Sequence, residues 1–446
     1  MTLKSHPRRT ASLLASTVGL AILTAGVVAG PAAAGTSIFC IPDGAQAGVA
    51  FYNQSAYDAD VGSPKITLVG GALPDGVSLF DGGWYTDYVG APKTPGAYDY
   101  VLQGQEKNGG APFTEACHVT IVADLQIVPG ITVSRVQGPD RFAGSVAASR
   151  AMVPGTAPLV YLASGENFAD ALSAGSPAAE RQAPLLLATK AGIPSVVLDE
   201  LKRLQPANIV LMGGEAALGA SVEAQLAGLP SPPAVTRIGG ADRFEVSRNL
   251  LTNTSFGPTD PTKILLATGR NFPDALSASP AFAQDRIKGG VLLVDGAQAS
   301  LSAGETAVLS AIKPTFVGIM GGPAAVSEGI EQSVTALTPV PQTHRLNGSD
   351  RYFVSSRVAE EYFTHPGFPE SNPDTVYLAT GANYPDALSG VPLAKVTNSP
   401  VLLSRQDCIP ADAAFRINRM NIKKVVLLGG DDVLSPDVAA LTVCRP

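Results

Sequence analysis

The chain has 446 residues, with 31 Lys and Arg against 38 Asp and Glu, a formal net charge of −7, and 45% hydrophobic against 15% charged residues. That is enough apolar sequence for several buried cores, which excludes an intrinsically disordered chain. The acidic balance excludes a non-specific nucleic-acid binder, which needs a basic surface.

In chain order the first predicted element is a targeting segment. Lys4, Arg8 and Arg9 form a basic stretch, Leu13 to Ala29 an apolar run, and Ala32-Ala33-Ala34 a small-residue cleavage site before Gly35. The run is short for a membrane-spanning helix, and no cysteine follows it in a lipid-attachment pattern. The expectation is that residues 1–34 are a signal peptide and that no membrane association remains after cleavage. Loss of Lys4, Arg8 and Arg9 takes the formal charge from −7 to −10. No second long apolar run and no hydrophobic C-terminal tail follow, so retention at a cell surface would be non-covalent.

Export makes disulfides plausible for Cys40, Cys117, Cys408 and Cys444. Four cysteines allow three pairings, of which pairing within each segment, Cys40 with Cys117 and Cys408 with Cys444, is the simplest. A zinc site is the alternative, but the spacing fits no zinc motif, and neither a metal nor a cofactor is expected.

Residues 35–125 alternate apolar and polar positions, as in Cys117-His-Val-Thr-Ile121 and Tyr98-Asp-Tyr-Val101. Pro74-Asp-Gly, Asp81-Gly-Gly and Asn108-Gly-Gly mark turns between them. This predicts a small all-β sandwich. Leu73-Pro-Asp-Gly-Val-Ser-Leu79, followed by Gly90-Ala-Pro-Lys-Thr-Pro-Gly-Ala-Tyr98, resembles the immunoglobulin-like domains of bacterial surface proteins.

The remainder is a threefold repeat. Arg135-Val-Gln-Gly-Pro-Asp-Arg-Phe142 recurs as Arg237-Ile-Gly-Gly-Ala-Asp-Arg-Phe244 and Arg345-Leu-Asn-Gly-Ser-Asp-Arg-Tyr352. VYLASGENFADALS, ending at Ser173, recurs as ILLATGRNFPDALS, ending at Ser277, and VYLATGANYPDALS, ending at Ser389. A third block ends in Gly213-Gly214, Gly321-Gly322 and Gly429-Gly430. The blocks keep their order with a period of about 105 residues, which is domain-sized and predicts three tandem globular modules rather than a solenoid of short repeats. The boundaries expected are 126–232, 233–340 and 341–446. In the first copy, Pro158–Ala163, Pro184–Ala188 and Asn208–Met212 are short, almost wholly apolar runs. Between and after them, Ala169–Glu180, Ser195–Leu204 and Leu218–Leu226 have helical composition or spacing. Apolar strands alternating with helices predict an α/β fold, a doubly wound parallel sheet covered on both faces.

The repeated polar residues cluster at the carboxyl ends of these strands, where parallel sheets bind ligands. Gly165, Gly269 and Gly381 let the chain turn there. Asn167, Asn271 and Asn383 follow, with Asp170, Asp274 and Asp386 three residues on. Either these cap helices and hold modules together, or they touch a ligand. Asp140-Arg141, Asp242-Arg243 and Asp350-Arg351 precede a helix in the same way, and Arg135, Arg237 and Arg345 flank it. Salt bridges to the repeated aspartates and presentation to phosphate or carboxylate groups of a polymer both suit the arginine fork. In the second case three copies would supply three equivalent sites and avidity along a repeating polymer.

In combination and order, the motifs R-(V/I/L)-x-G-x-D-R-(F/Y), L-A-(S/T)-G-x-N-(F/Y)-x-D-A-L-S and (M/L)-G-G resemble the type 2 cell-wall-binding repeat of Gram-positive surface proteins, over about 310 residues. The resemblance implies three modules around a pseudo-threefold axis. It also implies non-covalent anchoring to cell-wall polysaccharide or an anionic secondary wall polymer, and a location at the cell surface. Ala169 stands where the other copies have Pro273 and Pro385, and only the third copy has the Cys408 and Cys444 pair.

Catalysis is disfavoured by the residues themselves. After the leader the histidines are His118, His344 and His365, and none recurs with the repeat. Ser173, Ser277 and Ser389 recur without a histidine to activate them. The expectation is a binding protein, not an enzyme. The alternatives are an adhesin acting through a protein partner of the N-terminal domain, and a wall hydrolase using the repeated aspartates.

Overall fold

In this computed structural model the described residues are 37–445, apart from 39, 42–43, 50, 58–64, 82–85, 106–110, 168, 285–286 and 364–372. The targeting segment, most of the turns beginning at Asp81 and Asn108, and His365 lie outside the described residues.

The N-terminal part folds as strands β1 (Ser37–Ile38), β2 (Ala45–Gln46), β3 (Phe51–Tyr57), β4 (Lys65–Gly71), β5 (Val77–Asp81), β6 (Thr86–Gly90), β7 (Gly96–Gln105) and β8 (Phe113–Val122). They form two four-stranded sheets, in the orders β1-β3-β6-β5 and β2-β8-β7-β4. The alternating pattern decides which residues face inward. Tyr100 and Leu102 of β7 and Cys117, Val119 and Ile121 of β8 are buried, and they meet Ile66 of β4 and Tyr88 of β6 in one core. Tyr100 Oη accepts from the Ile41 amide at 2.8 Å and donates to Tyr88 Oη at 3.3 Å, which satisfies a hydroxyl that would otherwise be costly to bury. Cys40 and Cys117 form a disulfide, as do Cys408 and Cys444, so both pairings are within their segments.

Each repeat has the same order of elements. The first contains β9 (Thr132–Val136), α1 (Arg141–Met152), β10 (Leu159–Ser164), α2 (Ala169–Glu180), β11 (Leu185–Ala188), α3 (Ser195–Leu204), β12 (Asn208–Met212) and α4 (Ala220–Ala227). The second contains β13 (Ala234–Ile238), α5 (Arg243–Leu251), β14 (Lys263–Thr268), α6 (Pro273–Phe282), β15 (Gly290–Val294), α7 (Ala303–Ile312), β16 (Phe316–Met320) and α8 (Glu328–Thr335). The third contains β17 (Gln342–Leu346), α9 (Arg351–Phe363), β18 (Thr375–Thr380), α10 (Pro385–Val396), β19 (Val401–Ser404), α11 (Ala411–Arg419), β20 (Lys424–Leu428) and α12 (Pro436–Ala439).

The sheets are parallel and offset by one strand from the sequence repeat. Their orders are β11-β10-β12-β13, β15-β14-β16-β17 and β19-β18-β20-β9. The first strand of each copy therefore completes the sheet of the copy before it. The cycle closes because β9, the first strand of the first copy, pairs in parallel with β20 of the third, Leu427 opposite Arg135. Two of the three exchanges join segments that follow one another in the chain, β12 to β13 and β16 to β17. The third brings together segments almost 300 residues apart.

Buried apolar strands use both faces. In the first copy Tyr161, Ala163, Leu187, Val210 and Met212 face a central core shared with the other copies. Their alternating neighbours Val160, Leu162, Leu186, Ile209 and Leu211 face a separate outer core with Val197, Leu201 and Leu204 of α3 and Val222 and Leu226 of α4. This is why β10, β11 and β12 are apolar on both faces. The central core is built around α2, α6 and α10, which pack against one another. Every residue of α2 but Glu180 is buried. A methyl group on Gly175 would lie 3.5 Å from both Ser279 and Val391, one from each of the other two helices.

The N-terminal sandwich docks on the third copy, although it precedes the first in sequence. Phe415 of α11 packs against the sandwich core and also against the central core. The Asn418 side chain holds the connecting segment at two points: Oδ1 accepts from the Val128 amide at 2.9 Å, and Nδ2 donates to the Gln126 carbonyl at 2.8 Å. The Cys408–Cys444 disulfide lies on the same copy, where the Cys444 and Ile409 amides exchange backbone hydrogen bonds with Ile409 and Thr442 carbonyls. The sandwich and this disulfide thus sit on the copy whose sheet is closed by β9.

Candidate functional site

The repeated residues converge at three junctions between copies, at the carboxyl ends of the parallel strands. Their first component is the double-glycine turn. Gly213, Gly321 and Gly429 have φ of +100°, +97° and +108°, a left-handed conformation that costs other residues strain. A Cβ there would also lie 2.4, 2.6 and 2.7 Å from the carboxylates of Asp170, Asp274 and Asp386. Each turn is therefore shaped around an aspartate of its own copy, in the first turn of α2, α6 or α10.

These aspartates are buried or nearly so, and burial raises their pKa from the usual carboxylate value, in Asp274 to about 6. The opposing influence comes from the next copy in the cycle: Arg243 on Asp170, Arg351 on Asp274 and Arg141 on Asp386. Each of these arginines donates from Nη1 to the carbonyl of the strand-end glycine in its own copy: Arg141 to Gly165 at 2.6 Å, Arg243 to Gly269 at 2.8 Å, and Arg351 to Gly381 at 2.5 Å. The helix start that carries the arginine is capped by Asp140, Asp242 or Asp350, each accepting from amides of its first turn. The cap fixes the helix, the helix fixes the arginine, and the arginine faces its neighbour's aspartate.

Arg135, Arg237 and Arg345 occupy a different place. They lie on the exchanged strands and grip the turn of the preceding sheet, donating from Nη1 to the carbonyls of Gly429, Gly213 and Gly321 at 2.7, 3.0 and 2.8 Å. Their carboxylate partners are Asp431 at 2.9 Å, Glu223 at 3.0 Å and Glu331 at 2.9 Å. The sequence left two roles open for these arginines; among the described residues they form no ion pair with the repeated aspartates. The aspartates instead face the Arg141, Arg243 and Arg351 series, because strand exchange carries the first arginines to the other side of the turn.

Asn167, Asn271 and Asn383 are exposed one turn outside the aspartates. Asn167 Oδ1 accepts from the Ala169 amide at 3.3 Å, and Asn383 Oδ1 from the Tyr384 amide at 2.9 Å. Between the second and third copies the Phe272 and Tyr384 rings are 5.7 Å apart, and the Arg351 guanidinium lies 5.8 Å from the Phe272 centroid.

Ser173, Ser277 and Ser389 are buried and return their hydroxyls to the carbonyls of Ala169, Pro273 and Pro385 four residues earlier, a local helical bond that leaves no nucleophile presented. Sequence reasoning missed a second serine series. Ser145, Ser247 and Ser355 are buried in α1, α5 and α9, and each hydroxyl accepts from an amide of the neighbouring strand: Leu187 at 3.3 Å, Leu293 at 2.9 Å and Leu403 at 3.0 Å. The signal was present, since each serine stands four residues after the repeated arginine.

A family model described as "Cell wall binding domain 2 (CWB2)" matches residues 135–223, 237–331 and 345–439. The chain is 24% identical over 308 residues to "N-acetylmuramoyl-L-alanine amidase LytC" of Bacillus subtilis (strain 168), covering 69% of this chain and 57% of that protein. It is 27% identical over 288 residues to "Amidase enhancer" of the same organism, covering 64% of this chain and 37% of that protein. It thus spans roughly half or less of the length of these curated relatives. Among solved structures it is similar in fold to Cwp6 from Clostridium difficile, with a TM-score of 0.61, 20% identity, and coverage of 91% of this chain and 68% of that one. Cwp8 from the same organism gives a TM-score of 0.58 and 19% identity, covering 85% and 62%. With three matches spanning all three copies, the chain belongs to the cell wall binding domain 2 family.

Proposed function

We propose that this chain is a secreted cell-surface protein held non-covalently on cell-wall polysaccharide or an anionic secondary wall polymer by its three repeats, and that it is not an enzyme. The observation that carries this reading is the coincidence of the family match in all three copies with an arginine–aspartate junction at each exchange. The cyclic strand exchange supports a pseudo-threefold arrangement. Binding rather than chemistry is supported by where the repeated polar groups are directed. The serines bond backbone, Asp140, Asp242 and Asp350 cap helices, and the arginines hold glycine carbonyls. Residues 1–34 are proposed as the signal peptide.

Co-sedimentation of the purified protein with isolated Gram-positive walls tests this. Binding that falls at high salt and on walls stripped of secondary polymer is the expected result. Equal sedimentation with stripped and intact walls would remove the polymer from the proposal, and no sedimentation would remove the anchoring.

A second reading concerns the N-terminal domain, proposed as immunoglobulin-like. Two of its edge strands, β4 and β5, carry Leu68, Val69 and Phe80 exposed to solvent. Large apolar side chains on strand edges favour contact with a partner protein. Substituting Val69→Asp and Phe80→Asp should abolish such adhesion and leave wall binding intact.

A further inference from the structure

The three junctions share their inner residues but differ at the rim. The position after the strand-end glycine is Glu166, Arg270 and Ala382 in the three copies. The position after the next strand, aligned by the register of β11, β15 and β19, is Thr189 (followed by Lys190), Asp295 and Arg405. The position after the double glycine is Glu215, Pro323 and Asp431.

Assembled by junction, these differences set the local charge. Where the first copy meets the second, Arg243 faces Asp170, Glu215 follows the double glycine, and Asp295 takes Arg270 in a two-pronged ion pair. Where the third meets the first, Arg141 and Lys190 are accompanied by Asp386, Glu166, Asp431 and Asp432. Where the second meets the third, Ala382 and Pro323 replace the rim acids. There the exposed Arg405 guanidinium lies 5.9 Å from the centroid of Tyr352, next to the exposed Arg351, and among the described residues no carboxylate pairs with Arg405. Of the acids nearby, Asp350 caps α9, and Asp407 is exposed two residues after Arg405. Burial, with Asp350 beside it, raises Asp412 to about 7, and burial raises Asp274 as it does Asp170 and Asp386 at the other junctions.

We infer that the three junctions are not equivalent, and that an anionic group of the polymer, a phosphodiester or a uronate carboxylate, is bound at the junction of the second and third copies by Arg351 and Arg405. This rests on the wall-anchoring reading and replaces three equal sites with one charged site. The Arg405 guanidinium lies over the Tyr352 ring and is exposed, and a planar guanidinium fork is suited to oxyanions. At the other two junctions the rim carries additional carboxylates, Glu215 and Asp295 at one and Glu166, Asp431 and Asp432 at the other, which lower the local positive potential.

The test titrates the full chain with polyphosphate and with polygalacturonate, a phosphate and a carboxylate polyanion, at low salt. Arg405→Glu is compared with Arg270→Glu and Lys190→Glu, which make the same change of charge at the rims of the other junctions. The expected result is at least a tenfold loss of affinity for one probe in Arg405→Glu, changes under twofold in the two controls, and retention in Arg405→Lys, with unchanged melting temperatures. The probe that responds identifies the oxyanion. Equal losses in all three variants, no loss in any, or no binding of either probe by the unaltered protein would overturn the inference. The wall co-sedimentation assay run in parallel separates the two readings. Unaltered wall binding by Arg405→Glu defeats this site and leaves anchoring in place, whereas failure of the unaltered protein to bind walls defeats anchoring.

Discussion

Asp274 of the second copy and Arg351 of the third face one another across a junction between repeats. The same relation joins Asp170 to Arg243 and Asp386 to Arg141, closing the cycle. Each pair has one member supplied by the copy before and one by the copy after, so no single repeat contains a complete junction. The pairs are also asymmetric in their surroundings. The aspartate is enclosed by its glycine turn, while the arginine reaches from a helix start nearer to solvent, so burial dominates the carboxylate.

That enclosure predicts a pH dependence. A carboxyl whose folded pKa lies above its unfolded value binds its proton more tightly in the folded state. The stabilisation is full below the unfolded value and is lost as pH rises through the folded one. For Asp274 the window runs from the ordinary carboxylate value of 3.8 to about 6. Full expression of the shift corresponds to about 3 kcal/mol. Melting temperatures of Asp274→Asn measured between pH 4 and pH 7 should vary less than those of the unaltered protein. A profile of unchanged slope would show that Asp274 is solvated.

The double-glycine turn predicts a large effect from a small substitution. In Gly321→Ala the added methyl would meet Asp274 Oδ2 at 2.6 Å and Ala325 Cβ at 2.8 Å in a left-handed backbone. The expected cost is about 1–3 kcal/mol, read from denaturant unfolding. Gly155→Ala, with no atom within 4 Å of the new methyl, should stay within about 0.5 kcal/mol.

Docking of the sandwich on the third copy predicts that α11 controls the connecting segment. Asn418→Ala removes both bonds to the backbone at Gln126 and Val128, so amide hydrogen exchange at Val128 should quicken. Phe415→Ala removes a ring shared by two cores and should lower stability by about 3 kcal/mol. Exchange at Val128 unaffected by either change would mean that the linker is held elsewhere.

The C-terminal disulfide predicts stabilisation of the copy that closes the cycle. Cys408 and Cys444 are 36 residues apart, and a double replacement by serine should cost about 2–4 kcal/mol. The loss should appear first as faster exchange of the Cys444 and Ile409 amides, which are paired to carbonyls of Ile409 and Thr442.

Much of this molecule was legible from local sequence. The three copies, the helices at Ala169–Glu180 and Ser195–Leu204, the strand at Asn208–Met212, the parallel sheets and both cysteine pairings follow from periodicity, composition and spacing, because neighbouring residues carry those signals. The placement of β9 in the third sheet, the docking of the sandwich on α11, and the separation of the two arginine series were decided only by tertiary structure. All three depend on which copies meet, and a repeat written three times in one chain is equally compatible with strands kept or exchanged. Burial supplies the missing term. Exchange gives each double-glycine turn an arginine of the next copy to satisfy its carbonyl and encloses an aspartate behind it, which no copy could do alone.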